Sequence, residues 1–187
     1  MKKNPKIIVI GGGTGRSQET QEVILDFLLQ VSMPVIIDAG AIYAIAKKPE
    51  ILADKPWLVT PHSYEFFILT GKKIGDLSLE EKVKLVEQEA KRLKTTILLK
   101  GKTDIISDGT KTTLNETGSP YMTKGGTGDT LSGICGGLMA RGTGTFDAAQ
   151  AAAYINGKAG EIAALSKKES LFATDLIEAI PGVISRN

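Results

Sequence analysis

Ile7-Ile8-Val9-Ile10-Gly11-Gly12-Gly13-Thr14-Gly15-Arg16 passes from a β-branched run into a glycine-rich turn, and Ser17 then stands where it can cap a helix reaching about Leu29. A short continuous apolar run of this kind reads as a strand buried on both faces, as in parallel sheets. Working outward, Pro34–Asp38, Trp57–Thr60 (stopped by Pro61) and Thr95–Lys100 (stopped by Gly101) predict three more such strands. Leu79 to Leu93 reads as a charged amphipathic helix. Ile105–Ser107 and Thr112–Leu114 flank Asp108-Gly109-Thr110-Lys111, a hairpin signal. From Gly125 onward the pattern is helical: Asp129 to about Ala140, Phe146 to about Leu165, and Thr174 to Ile180. Strands alternating with helices predict a layered α/β fold, with a largely parallel sheet flanked by helices. Ligands of such sheets bind beyond the carboxyl ends of the strands. That points to Gly11–Arg16, Asp38–Tyr43, Pro61–Glu65, Lys100–Asp104 and Gly125–Asp129.

The 187 residues give room for a single domain over 1–187, with no domain-scale linker or internal repeat. A net charge of +2 without a concentrated basic run, and only 5% aromatic residues, argue against a nucleic-acid groove. One cysteine, Cys135, and one histidine, His62, exclude an internal disulfide and any zinc cluster, and fit a reducing cytoplasm. Cys135 shares an apolar stripe with Leu131 and Leu138 and reads as packing. The four apolar residues after Pro5 are too few for a signal h-region or a membrane span. Glycine is the informative excess, 21 residues in clusters.

Each cluster has a chemical and a plainer reading. Gly11–Arg16 suits phosphate binding by backbone N–H groups at a helix start, or a tight turn that needs small residues. Arg16 stands where a dinucleotide fingerprint needs glycine, and no Walker A loop occurs in the chain. Thr123-Lys124-Gly125-Gly126-Thr127-Gly128-Asp129-Thr130 is stronger. Its glycines expose consecutive donors, Thr127 adds a hydroxyl, and Asp129 is placed to take a proton from a hydroxyl attacking a phosphoryl group. The plainer reading makes Asp129 a helix N-cap. Pro61-His62-Ser63-Tyr64-Glu65 could supply an imidazole to a substrate and a carboxylate holding a metal through water, or only a turn and a favourable helix start. Lys100-Gly101-Lys102-Thr103-Asp104 could hold a nucleotide or be a polar turn.

Together these segments resemble the ADP/ATP-dependent NAD(P)H-hydrate dehydratases, a carbohydrate-kinase-related branch of the ribokinase-like superfamily. Gly11–Arg16 is similar to the family's G-P-G-L-G-R, and Val35–Ile42 runs into its D-A-D-A-L-N. Leu58–Glu65 resembles L-T-P-H-x-x-E, and Lys100–Thr103 resembles K-G-x-x-T. Asn115–Gly133, N-E-T-G-S-P-Y-M-T-K-G-G-T-G-D-T-L-S-G, is close to N-x-T-G-N-x-x-M-A-x-G-G-T-G-D-V-L-x-G and is the specific match. Resemblance runs from about Lys6 to about Ile180.

The resemblance implies a ribokinase-like fold and repair of hydrated NADH or NADPH. ATP or ADP phosphorylates the C6 hydroxyl, and phosphate then leaves. It implies Asp129 as base, Gly126, Thr127 and Gly128 as anion hole, and Lys100, Gly101, Lys102, Thr103, Asp104 and Gly128 along the nucleotide. Gly13, His62 and Asp129 would touch the substrate, and Glu65 would organise Mg²⁺ through water. Three positions depart from the pattern: Gly12 replaces the proline, Gly40 the second aspartate and Tyr43 the asparagine. Family domains also carry strands and helices before the segment that begins here. The expectation is therefore a domain without those elements, whose exposed sheet edge is covered in a homo-oligomer or by a partner chain. Two other readings remain open: a small-molecule kinase of the same superfamily, and a non-catalytic nucleotide-binding or partner subunit.

Overall fold

The computed structural model describes residues 6–185. Six strands form one sheet in chain order: β1 (Ile8–Ile10), β2 (Val35–Ile37), β3 (Trp57–Val59), β4 (Thr96–Leu99), β5 (Asp104–Ser107) and β6 (Thr112–Asn115). Strands β1 to β4 are mutually parallel, and the β5–β6 hairpin continues the sheet antiparallel. The helices are α1 (Gln18–Leu29), α2 (Ala39–Ile45), α3 (Ser63–Thr70), α4 (Leu79–Leu93), α5 (Thr127–Ala140), α6 (Thr145–Lys167) and α7 (Ala173–Ile184).

Side chains alternate across a strand, so a strand covered on both faces feeds two cores. Val35 and Ile37, Trp57 and Val59, and Ile97 and Leu99 enter one apolar cluster with residues of α1 to α4. Ile36, Leu58, Leu98 and Ile106 enter the other, with Leu131, Cys135 and Met139 of α5 and a run of alanines on α6. This is a three-layer sandwich with its parallel strands ending in one direction. The residues just beyond those ends are Gly11, Asp38, Thr60 to His62, and Lys100. A bridge between His62 and Lys100 extends the ladder there, and the Lys100 amide donates to the Pro61 carbonyl at 2.8 Å.

All predicted strands form where the β-branched runs placed them. Leu79–Leu93 is the helix that the charge pattern predicts, with Ser78 and Glu81 forming a reciprocal cap. Ser17 caps α1 through its hydroxyl, which accepts from Thr20 N. Two boundaries differ. Helix α5 starts at Thr127, with Gly126 as N-cap at φ 90°, so Asp129 lies inside the first turn rather than at the cap. Helix α7 continues through Pro181 to Ile184 instead of stopping at Ile180, because Ser185 N closes the last turn onto the Pro181 carbonyl.

Candidate active site

Gly11 leaves β1 at φ 128°, and a Cβ there would run into the Asp38 carbonyl oxygen, so the loop and the end of β2 touch as only glycine allows. The loop folds back on itself, with the Thr14 hydroxyl donating to the Gly11 carbonyl at 2.9 Å. Gly12 lies against the Asp129 carboxylate, closely enough that a Cβ at Gly12 would meet Oδ1. Gly13, at φ 71°, faces open space.

Two of the departures from the family pattern, Gly40 and Tyr43, meet the first loop. A Cβ at Gly40 would collide with the Thr14 hydroxyl and the Gly15 carbonyl oxygen, so the first loop occupies the place of the family's second aspartate. Arg16, at the end of that loop, holds its guanidinium 4.5 Å from the centroid of the Tyr43 ring. Burial raises the Tyr43 phenol above its ordinary range, with Arg16 acting in the opposite sense and Glu65 and Tyr64 reinforcing burial.

His62 is the N-cap of α3. Its Nδ1 accepts from the amides of Tyr64 and Glu65, while Glu65 Oε2 accepts from the His62 amide at 3.0 Å. The His62 Nε2 lies 3.3 Å from Glu65 Oε1, and the imidazole is about half exposed while Glu65 is buried. Structural capping and a substrate-facing edge are therefore compatible in one residue. Among the described residues no group of three or more His, Cys, Asp or Glu side chains could hold a metal directly.

Beyond β4, the Lys100–Asp104 turn borders a cleft of about 750 Å³. That volume lies in the range of about 300–1,000 Å³ that small-molecule sites occupy. Lys100, Gly101, Lys102, Thr103, Asp104, Thr127 and Gly128 all line it. Asp104 is half-buried; its carboxylate accepts from Gly101 N and from Asn115 Nδ2, each at 3.0 Å, and burial raises it above the usual carboxylate range. It shapes the turn. The Thr127 hydroxyl is turned inward, donating toward the Met122 and Lys124 carbonyls at 2.9 and 3.0 Å, so what this residue offers the cleft is backbone. Helix geometry leaves the first-turn N–H groups of α5 without intrahelical acceptors, and their dipoles favour an anion at that end.

Sequence reasoning missed the opposite wall of the cleft. Glu116 to Pro120 and Met122 form it with Asn156 and Gly157 of α6. Side chains at Gly157 and Gly160 would overlap Thr117 and Met122, so two glycines one turn apart let this segment lie on α6. Their i, i+3 spacing, beside the quoted N-E-T-G stretch, is the only signal that could have pointed there. Also missed was a buried charge cluster beneath α5. Lys100 Nζ lies 2.7 Å from Asp38 Oδ1 and 3.8 Å from Glu65 Oε2, and Ser132 Oγ donates to Asp38 Oδ2 at 2.9 Å. Cys135 is packing, as expected: fully buried, its thiol pushed up to about 12 mainly by desolvation and further by Asp38.

The arrangement therefore has two halves. A cleft of small-molecule size lies on one side of the α5 N-terminus, and exposed Asp129, with Gly12 against its carboxylate, lies outside it. Such a site can pass a group between two bound molecules across an anion-stabilising turn.

Known proteins are similar to this chain. The bifunctional NAD(P)H-hydrate repair enzyme Nnr of Hyperthermus butylicus is 41% identical over 183 residues, covering 95% of this chain and 34% of that protein. The ADP-dependent (S)-NAD(P)H-hydrate dehydratase of Cenarchaeum symbiosum is 44% identical over 166 residues, covering 87% of this chain and 56% of that one. The chain thus spans between a third and just over half of these curated relatives. Among solved structures, the ADP/ATP-dependent NAD(P)H-hydrate dehydratase of Bacillus subtilis, co-crystallized with ATP and Mg²⁺, superposes with a TM-score of 0.81 at 30% identity, over 100% of this chain and 66% of that chain. The family model described as NAD(P)H-hydrate dehydratase matches residues 1–182, and the chain belongs to that family, with its ribokinase-like fold.

Proposed function

We propose that this chain repairs hydrated NADH or NADPH, using ATP or ADP to phosphorylate the C6 hydroxyl so that phosphate can leave and the dihydronicotinamide returns. The observation that carries the reading is the placement of the Gly126–Asp129 turn between the cleft and the face formed by Gly12 and Gly13. Asp129 is exposed on that face and takes the hydroxyl proton as the oxygen attacks. Backbone donors of Gly126, Thr127 and Gly128 stabilise the charge on the phosphoryl group in transit. Lys100, Gly101, Lys102, Thr103 and Asp104 hold the nucleotide with Gly128, while Gly13 and His62 position the hydrated ring.

Mg²⁺ fits only through water. Glu65 is buried and both of its oxygens already face His62, so it would hold a hydrated ion only through water. When bound, Mg²⁺ would supply charge neutralisation to the phosphate groups of the nucleotide. No helix among the described residues is long and apolar enough to cross a membrane, and the reading places the activity in the cytoplasm. It also takes the chain as one domain and covers the free edge of β1 with a second copy or a partner chain.

The test is turnover of chemically prepared NADH hydrate with Mg²⁺ and either ATP or ADP, followed by the returning dihydronicotinamide absorbance. Recovery with one nucleotide names the donor. Replacing Asp129 by Ala lowers kcat by about 10²–10⁴-fold, as loss of a general base does, with nucleotide affinity retained. Wild-type protein that binds nucleotide yet restores no absorbance overturns the reading. Accumulation of a stable phosphorylated alcohol would instead indicate a kinase.

A further inference from the structure

Asp38 is the N-cap residue of α2, yet its side chain makes no capping hydrogen bond. Aspartate is favoured at that position because its carboxylate ordinarily accepts the orphan N–H groups of the first turn. Here both oxygens are directed elsewhere, Oδ1 to the Lys100 ammonium at 2.7 Å and Oδ2 to the Ser132 hydroxyl at 2.9 Å. The next residue, Ala39, is held in the left-handed region at φ 43°, a conformation that side-chain-bearing residues disfavour. The local backbone thus gives up a cap and accepts strain while its carboxylate engages a lysine 62 positions away. That lysine is only partly buried, its side chain 21% exposed, and it lines the cleft. A Cβ on Gly128 would lie 3.5 Å from Lys100 Nζ, so the ammonium stands directly beneath the anion turn. Glu65 is the other charged group facing it, at 3.8 Å.

We infer that Asp38, steadied by Ser132, is a positioning residue that holds the Lys100 ammonium under the Gly126–Asp129 turn, where it meets the phosphoryl group between cleft and substrate face. This rests on the phosphoryl-transfer reading above. Lysine is a flexible point charge, and tethering it to a buried carboxylate removes the freedom that would blur its contact with a moving anion.

The experiment compares D38N, K100M and D38N/K100M for binding of AMP and of the non-hydrolysable triphosphate AMP-PNP, and for turnover of NADH hydrate. D38N and K100M each weaken AMP-PNP about tenfold while AMP affinity stays within about twofold, because AMP lacks the groups the ammonium meets. Both lower kcat, D38N by on the order of 10²-fold through misplacement. Residues that act as one unit are non-additive, so the double variant is no worse than K100M. D38N with unchanged AMP-PNP affinity and turnover, or losses that multiply in the double variant, overturns the inference. S132A leaves every charge in place and serves if D38N does not fold; it lowers kcat severalfold with AMP binding unchanged, and an S132A protein equal to wild type overturns the inference. Wild-type protein inactive on NADH hydrate refutes the functional reading instead, and the AMP-PNP pattern still decides the role of Asp38.

Discussion

Gly40 shows how a single atom decides the shape of the substrate face. The family pattern has aspartate there; this chain has no Cβ, and the Thr14 hydroxyl and Gly15 carbonyl fill the place. Loop, helix start and the Arg16–Tyr43 contact therefore change together, and restoring one member without the others is unfavourable. Gly40→Ala sets a methyl group against the Thr14 hydroxyl and the Gly15 carbonyl oxygen, an overpacking that costs about 1–3 kcal/mol. Denaturant titration checks that loss. The same variant weakens hydrated NADH while leaving AMP affinity intact, since the nucleotide cleft lies elsewhere; equal loss of both ligands would place Gly40 in the general scaffold. Asp129 carries the same lesson in reverse. From sequence it was either a base or an N-cap, and the cap belongs to Gly126, whose left-handed φ of 90° begins the helix two residues earlier than the carboxylate suggested.

Elements were legible wherever one signal dominated. The strands announced themselves through β-branched runs, and α4 through its cap and charge pattern. Helix α2 did not, because Ala-Gly-Ala-Ile-Tyr-Ala-Ile is nearly all buried and shows no polar face to give it a period. The cleft wall was illegible for another reason: it depends on Glu116 to Met122 meeting α6, a contact set by two small residues rather than by any local pattern. That wall is pinned by Glu161, which accepts Gly118 N at 3.0 Å and pairs with Lys158 at 2.7 Å. Lys158 first, and the Gly118 amide second, lower the Glu161 carboxyl below the usual range. A carboxylate with a depressed folded-state pKa contributes stability that is complete above the ordinary glutamate range and is lost as pH falls through the lowered value. Acidification through that window therefore loosens the wall, and AMP affinity measured from neutral pH down to about pH 3, below the ordinary glutamate range, declines faster in wild type than in Glu161→Gln. Glu161→Gln keeps an acceptor for Gly118 but no titrating charge. Parallel declines in the two proteins would remove Glu161 from the wall's support.

At the scale of the whole molecule, among the described residues the two faces of the sheet are covered but its first edge is not. Among the described residues β1 pairs only with β2, and Val9 on it is 46% exposed. Helix α1, whose Ile24 and Leu28 pack in the same core cluster as Ile8 and Ile10, leaves Val23 and Phe27 facing outward at 64% and 43% exposure. A strand with one unpaired edge, near apolar side chains that face outward, is a template for association unless something covers it. The free amides and carbonyls of β1 favour a partner that brings its own strand or a matching apolar face, and a second copy brings both. Sedimentation at micromolar concentration is expected to show a species of at least two chains, and Phe27→Asp, which puts a charge among those outward side chains without touching either core, shifts it toward monomer. Nucleotide affinity is unchanged in that variant, because β4, β5 and α5, which build the cleft, are supported by other faces of the fold. A wild-type monomer that remains clean across that range would leave the edge open in solution, and the cover would then have to come from a different chain.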